Sequence, residues 1–397
     1  MRGTGRDAET RADGVRPTTP KAGARDTDLD EYRALALVWV MLIHCLYWFG
    51  LVGQRWDVPK SLLLFEMPVL FFVAGASNGL GRPKPAWSFY ASRLTRILIP
   101  FWVYAAAALA FEAWKARAGV RPFDVHWVVP TETPKSPVAP IAWHLWFVPV
   151  YLSVMGLFPW LRAAFDRLSS WRRAVPLAVL AVGVVAFDDF NVRLEFPRFL
   201  VFYSFWAYLG LYYPSWKARP WPRAAVLATS ACAYVVLWRL LAHGVYQPDF
   251  QWNKFPTNVS FFLLCVGHFG LLTLAAPALR AFARRPAVRP LIAPYQRYGY
   301  TIYLFHPIGF ALVMTAFERW PALLQWAQAH PATALSLIFP ALLVSVPVLA
   351  WPFSVAERMS FRRRPAVAAA PGRLDAPHAV DGPPPHVRTS STAPADR

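Results

Sequence analysis

Two ionisable side chains eleven residues apart frame the chemistry open to this chain. Arg33 and His44 lie in the run that opens Asp30-Glu31-Tyr32-Arg33 and continues through Ala34-Leu35-Ala36-Leu37-Val38-Trp39-Val40-Met41-Leu42-Ile43. On a helix that interval is three turns plus about 20°, so both side chains share a face, about 16 Å apart along the axis. If the segment crosses a bilayer, Arg33 sits at one surface and His44 near the midplane. An ionisable group at that depth is costly and marks a functional site by default. A histidine there suits proton transfer, because its ordinary pKa is near neutrality. The competing reading is a structural hydrogen bond between helices. Arg33 suits a phosphate or carboxylate at the entrance, or plain anchoring at the interface. Asp30, one turn earlier, is placed to pair with it.

Other candidates repeat these chemistries. Arg93 and Arg96 are three residues apart and point the same way on a helix. They suit lipid headgroups or, through bidentate guanidinium bonds, a phosphorylated ligand. His268 and His306 fall near the middle of apolar blocks, as His44 does. No short His-x-x-x-His pair and no carboxylate at the same depth accompany them, so no metal site is expected. Glu66 could orient His44, receive an acceptor hydroxyl or make a structural hydrogen bond. Trp143 and Trp146 read as an interfacial belt, with sugar stacking as the alternative.

These residues need a membrane scaffold to hold them. Of the 397 residues 56% are hydrophobic and 16% charged, against about 25% charged in an ordinary soluble domain. The apolar residues come in blocks long enough to cross a bilayer. Candidate spans are 34–53, 62–80, 97–114, 143–161, 174–190, 199–214, 224–242, 257–277, 298–318 and 332–355. The expected fold is an all-α polytopic membrane protein of about ten transmembrane helices with both termini cytoplasmic. Under that alternation 30 of the 41 Lys and Arg residues fall on the side of the termini, as the positive-inside rule requires. The formal charge of +19 therefore reflects topology. No nucleic-acid partner is expected, since no basic stripe is interleaved with aromatics on a soluble module.

Residues 1–28 lack the apolar core of a cleavable signal peptide and read as a disordered cytoplasmic tail. Residues 29–358 form the membrane domain, and 359–397 a second, basic tail. Cys45, Cys232 and Cys265 lie inside apolar blocks and read as packing residues.

Four segments in order resemble the acyltransferase 3 family of integral membrane O-acyltransferases. The first is Asp30-x-x-Arg33-Ala34-Leu35-Ala36 with ten residues between Arg33 and His44. The second is Arg93-Leu94-Thr95-Arg96 entering the third span. The third is His144-Leu145-Trp146-Phe147, and the fourth Tyr300-Thr301-Ile302-Tyr303-Leu304-Phe305-His306-Pro307. One turn departs from the family: Phe71-Phe72-Val73-Ala74-Gly75-Ala76 stands where Ser-Gly-Phe is more usual.

The resemblance implies a multi-pass enzyme of the cell membrane that moves an acyl group, acetyl by expectation, from acyl-CoA to a hydroxyl of a sugar or glycan acceptor. Acyl-CoA is then a co-substrate, and no bound cofactor is expected. His44 becomes the catalytic base or transient acyl carrier. Arg33, Arg93 and Arg96 become donor-binding residues, with Asp30, Glu66, Trp146 and His306 as secondary candidates and His268 structural. The rival reading is a transporter or flippase for a lipid-linked or anionic molecule, using the same midplane groups and the Pro-broken helices at Pro68, Pro149 and Pro307.

Overall fold

The Asp26 carboxylate starts the first long helix by accepting hydrogen bonds from the backbone N–H groups of Asp28 (3.0 Å) and Leu29 (3.2 Å). This N-cap satisfies donors that the first turn leaves without partners. The computed structural model describes residues 26–116, 123–189 and 195–359. Most of the tail expected over 1–28, and all but the first residue of that over 359–397, lie outside them. Asp26–Asp28 depart from the expected tail, because the cap draws the helix start back to Thr27.

Ten helices carry the architecture. They are α1 (Thr27–Trp48), α2 (Glu66–Leu80), α3 (Ala86–Ala116), α4 (Phe147–Arg167), α5 (Ala174–Asp189), α6 (Glu195–Gly210), α7 (Arg223–Ala242), α8 (Val259–Ala283), α9 (Arg289–Arg319) and α10 (Pro331–Ala350). Each falls on one of the segments expected to span. Among the described residues there is no strand. Among the described residues seven helices are long and apolar enough to cross a bilayer: α2 with the turns before it, α3, α4, α7, α8, α9 and α10. The other three fall short for visible reasons. α1 begins among Asp28, Asp30, Glu31 and Arg33, while α5 and α6 have 16 residues each.

Many large apolar side chains lie on the exterior of the helices, which a bilayer permits and water disfavours. Val179, Val182, Val235, Trp238, Leu337, Val344 and Val348 all point outward. Cys45 and Cys265 pack inside, whereas Cys232 lies on the outer face of α7.

Inside, α1 packs on α2 and α9, α2 on α6, α8 on α7 and α9 on α10. The α2–α6 crossing runs through residues 71–76. A Cβ added to Gly75 would sit 1.9 Å from the Ala207 carbonyl oxygen, and one on Gly210 would sit 2.3 Å from that of Phe72. Only glycine lets the two backbones approach so closely.

α9 breaks at Tyr298, whose φ of −139° and ψ of 44° are non-helical. Pro294, just before the break, already lacks an N–H to give the ladder. The restarted helix leaves free donors, and Glu357 takes one. Its Oε1 accepts from the Thr301 N–H (2.6 Å) and hydroxyl (2.7 Å). The two halves of α9 thereby present different faces to the bundle.

The loop between α3 and α4 is pinned by Asp124, which accepts from the backbone N–H groups of Lys135 (2.7 Å) and His126 (3.0 Å). Those bonds favour the carboxylate and hold its pKa below the usual 3.8.

Candidate active site

Four arginines from three helices converge on one cavity. Arg33 comes from α1, Arg93 and Arg96 from α3, and Arg297 from the first half of α9. The cavity holds about 560 Å³, within the range of small-molecule sites. Its polar end is set by hydrogen bonds between helices. Arg33 Nη1 donates to Asp30 Oδ1 (3.1 Å) and Nη2 to Ser77 Oγ on α2 (3.2 Å). Arg93 donates to Asn78 Oδ1, and its guanidinium lies over the Phe89 ring. These contacts fix the guanidinium planes, which is how arginine recognises a phosphate with little entropy left to lose.

The carboxylates around the cavity are already engaged. Asp26 is held by Lys217 (2.9 Å), Asp30 by Arg33 and Glu357 by Thr301. Among the described residues no carboxylate lies within ion-pair distance of Arg93, Arg96 or Arg297. Glu357 acts on Arg96 and Arg33 only through space, so the cavity keeps unspent positive charge. Tyr151 meets Arg93, and the rest of the wall is apolar and aromatic, with Leu37, Leu70, Phe147, Tyr300 and Tyr303.

Tyr303 closes that inner end. Its hydroxyl donates to the His144 carbonyl oxygen (2.8 Å), and its ring centroid lies 5.6 Å from that of His306. On the far side His44 Nδ1 and His306 Nε2 are 2.7 Å apart, and His306 Nδ1 is 2.5 Å from the Tyr303 carbonyl oxygen. That carbonyl fixes the tautomers. It can only accept, so His306 Nδ1 carries a proton. In a neutral His306 the Nε2 is then a bare acceptor, so His44 Nδ1 must be the donor. His44 is left with an unprotonated Nε2, the atom a general base requires. Trp48 stacks on His44 at 3.7 Å and Phe310 stands edge-on, so the pair sits between aromatic rings. His306 is fully buried; His44 is partly exposed. His144 lies 5.1 Å from His306, ring to ring, and its buried nitrogens have no hydrogen-bond partner among the described residues.

A family model described as an acyltransferase domain, Acyl_transf_3, matches residues 26–353. The chain belongs to the acyltransferase 3 family. It is therefore an enzyme, a multi-pass membrane acyltransferase that takes an acyl group from a donor to an acceptor. No curated protein and no solved structure matches it.

In this acyltransferase the candidates from the sequence separate into three places. Asp30, Arg33, Arg93 and Arg96 share the cavity. His44 and His306 form the pair behind Tyr303 and do not line it. Glu66 and Trp146 form a third group that does not line the cavity. Glu66 does not orient His44; it makes a buried ion pair with Lys254 at 2.5 Å, the two side chains being 2% and 5% exposed. The reason is local: Glu66 opens α2, and the short helix Phe250–Lys254 brings a lysine against it. Trp146 gives its ring to the same lysine, whose Nζ is 5.8 Å from the centroid. His268 is held by Tyr234 and by the Leu264 carbonyl oxygen, in keeping with a structural role.

Sequence reading missed Arg297, Glu357 and Lys254. Arg297 and Glu357 look like ordinary interfacial charges until the packing of distant segments brings both to the cavity wall. Lys254 ends a short helix in a stretch with no motif around it. Tyr303 was within a family-like segment, which could have flagged it, but its place between the cavity and the histidines depends on packing.

Proposed function

We propose that this acyltransferase moves an acyl group, acetyl in the first instance, from acyl-CoA to a hydroxyl of a carbohydrate or glycan-like acceptor at the cell membrane. The observation that carries the reading is the sequence of surfaces along α1: guanidinium groups with unspent charge, an apolar aromatic throat, then a histidine pair with a free Nε2. Acyl-CoA has the same order of chemistry, from phosphates through a neutral arm to a thioester. Ten spans with cytoplasmic termini, read from the charge asymmetry, put Arg33 on the side where acyl-CoA is made.

In the proposed step Arg33, Arg93 and Arg96 hold the donor's diphosphate. The Tyr303 ring swings aside to let the thioester reach His44. His44 Nε2 takes the proton of the acceptor hydroxyl as its oxygen bonds to the thioester carbonyl carbon. Collapse of the tetrahedral intermediate breaks the C–S bond, and the proton passes from His44 to the leaving thiolate. His306 holds His44 in the reactive tautomer throughout and relays nothing. Exclusion of water by the surrounding rings favours alcohol over hydrolysis.

The test is mass spectrometry of envelope glycans and secreted metabolites from cells with the gene, without it, and with His44→Ala in its place, fed labelled acetate. A labelled ester that disappears in the deletion and in His44→Ala is expected. Full ester formation by a normally expressed His44→Ala variant overturns the proposal.

A further inference from the structure

The first half of α9 faces a second cavity of about 640 Å³, which adjoins the first because Asp30, Gln296 and Arg297 line both. On α9 its lining residues are Arg289, Ala293, Gln296 and Arg297. The intervals of four, seven and eight residues place them on one helical face. Opposite stand Glu31 on α1 and Arg284, which caps the C-terminal end of α8. Arg289 and Ala293 line this cavity alone, Gln296 and Arg297 line both, and Gly299, Tyr300 and Tyr303, beyond the break at Tyr298, line the first alone.

The charges around the second cavity do not cancel. Arg284 Nε donates to Glu31 (2.8 Å) and Nη2 to Asp28 (2.7 Å). Asp30 is held by Arg33. That leaves Arg289 and Arg297, with no carboxylate in ion-pair distance among the described residues. Two exposed guanidinium groups on one helical face, beside a carboxamide, form a site for a phosphomonoester dianion.

We infer that this second cavity holds the 3′-phosphorylated adenosine end of the donor, with Arg289 as a residue that selects for the 3′-phosphate. The inference rests on the acyl-CoA reading above. It assigns the two charged parts of one ligand to two adjoining cavities: the diphosphate to Arg33, Arg93 and Arg96, and the terminal phosphate to Arg289 and Arg297. The same chemistry in an anionic lipid headgroup is the competing source.

The experiment compares acetyl-CoA with 3′-dephospho-acetyl-CoA as donors for the purified full chain in nanodiscs. One set of discs contains only phosphatidylcholine, the other adds phosphatidylglycerol. The wild type should show a KM about tenfold lower for acetyl-CoA than for the dephospho donor, the worth of one charge-assisted contact. Arg289→Ala should raise the acetyl-CoA KM about tenfold, leave kcat alone and erase the preference, in both lipids. Arg289→Lys, which keeps the charge without the fork, should fall between. Equal discrimination by wild type and Arg289→Ala overturns the inference, and so does an Arg289 effect confined to the anionic discs. A wild type that uses neither donor refutes the acyl-CoA reading itself, which separates the two failures.

Discussion

His306→Ala is the most informative single change, because it removes what fixes His44 without touching the cavity. His306 is fully buried, and its Nε2 is the only acceptor in reach of His44 Nδ1 among the described residues. Truncation leaves that N–H unpaired and lets the imidazole rotate or exchange tautomers. An unsatisfied buried donor costs about 1–3 kcal/mol. If the cost appears wherever His44 must present Nε2, kcat falls about 5- to 150-fold. The donor KM should not change, since His306 does not line the arginine cavity. His306→Gln, which keeps an acceptor in a side chain of similar reach, should regain part of the loss. The assay is steady-state transfer from acetyl-CoA in nanodiscs, reporting kcat and KM separately, with the thermal midpoint recorded for each variant. A general loss of packing would lower that midpoint in both variants and allow no selective rescue. Unchanged kcat in a folded His306→Ala, or a loss confined to KM, refutes the tautomer argument.

Three further outcomes follow from the same geometry. Arg93→Lys and Arg96→Lys keep their charge but lose the planar fork, so each should raise the acyl-CoA KM by about three- to tenfold with kcat held; equal KM values would favour a headgroup role. Glu66→Gln strands Lys254 in a buried site and should destabilise by about 3–5 kcal/mol, while pairing it with Lys254→Met should restore much of the thermal midpoint. Gly75→Ala places its Cβ 1.9 Å from the Ala207 carbonyl oxygen and should abolish the monodisperse peak in size-exclusion chromatography; Gly156→Ala, with nothing within 4 Å, should elute as wild type.

The parts legible in the sequence are those governed by local rules. Helix positions follow from apolar blocks, and the ten expected segments each found a helix. Same-face spacing put Arg33 and His44 in line along α1, and the three-residue interval brought Arg93 and Arg96 to one cavity. What stayed hidden depends on contacts far apart in the chain. Nothing near His44 announces that its partner is 262 residues away, although both histidines stood out by depth. Which of the readings open to Glu66 holds was hidden as well, because its lysine comes from a short helix 188 residues later. The break at Tyr298 left no clear signal, since Pro294 and Pro307 frame the segment without marking which residue leaves the helical region. Arg297 and Glu357 reach the cavity wall only through packing between segments distant in the chain.

The wall between the cavity and the histidine pair has its own functional meaning. Arg33 is tied at once to Asp30 and Ser77, so α1 is fixed at its charged end against α2. His44, three turns on, is fixed by His306 on α9. Both anchors are rigid, and the element between them is one aromatic side chain, Tyr303, whose hydroxyl makes a single hydrogen bond to a backbone carbonyl. An enzyme that must show a thioester to an alcohol and keep it from water gains from such an arrangement. A permanently open path would let water follow the donor to the base. A ring that yields only when the donor's arm fills the throat admits the thioester and closes behind it. On this argument Tyr303→Ala should change the partition of the donor more than its binding. Transfer to the acceptor should fall while hydrolysis of acetyl-CoA rises, with the donor KM close to wild type. Following free thiol and acylated product in the same reaction gives the ratio directly. An unchanged ratio in Tyr303→Ala would show that the ring does not control access.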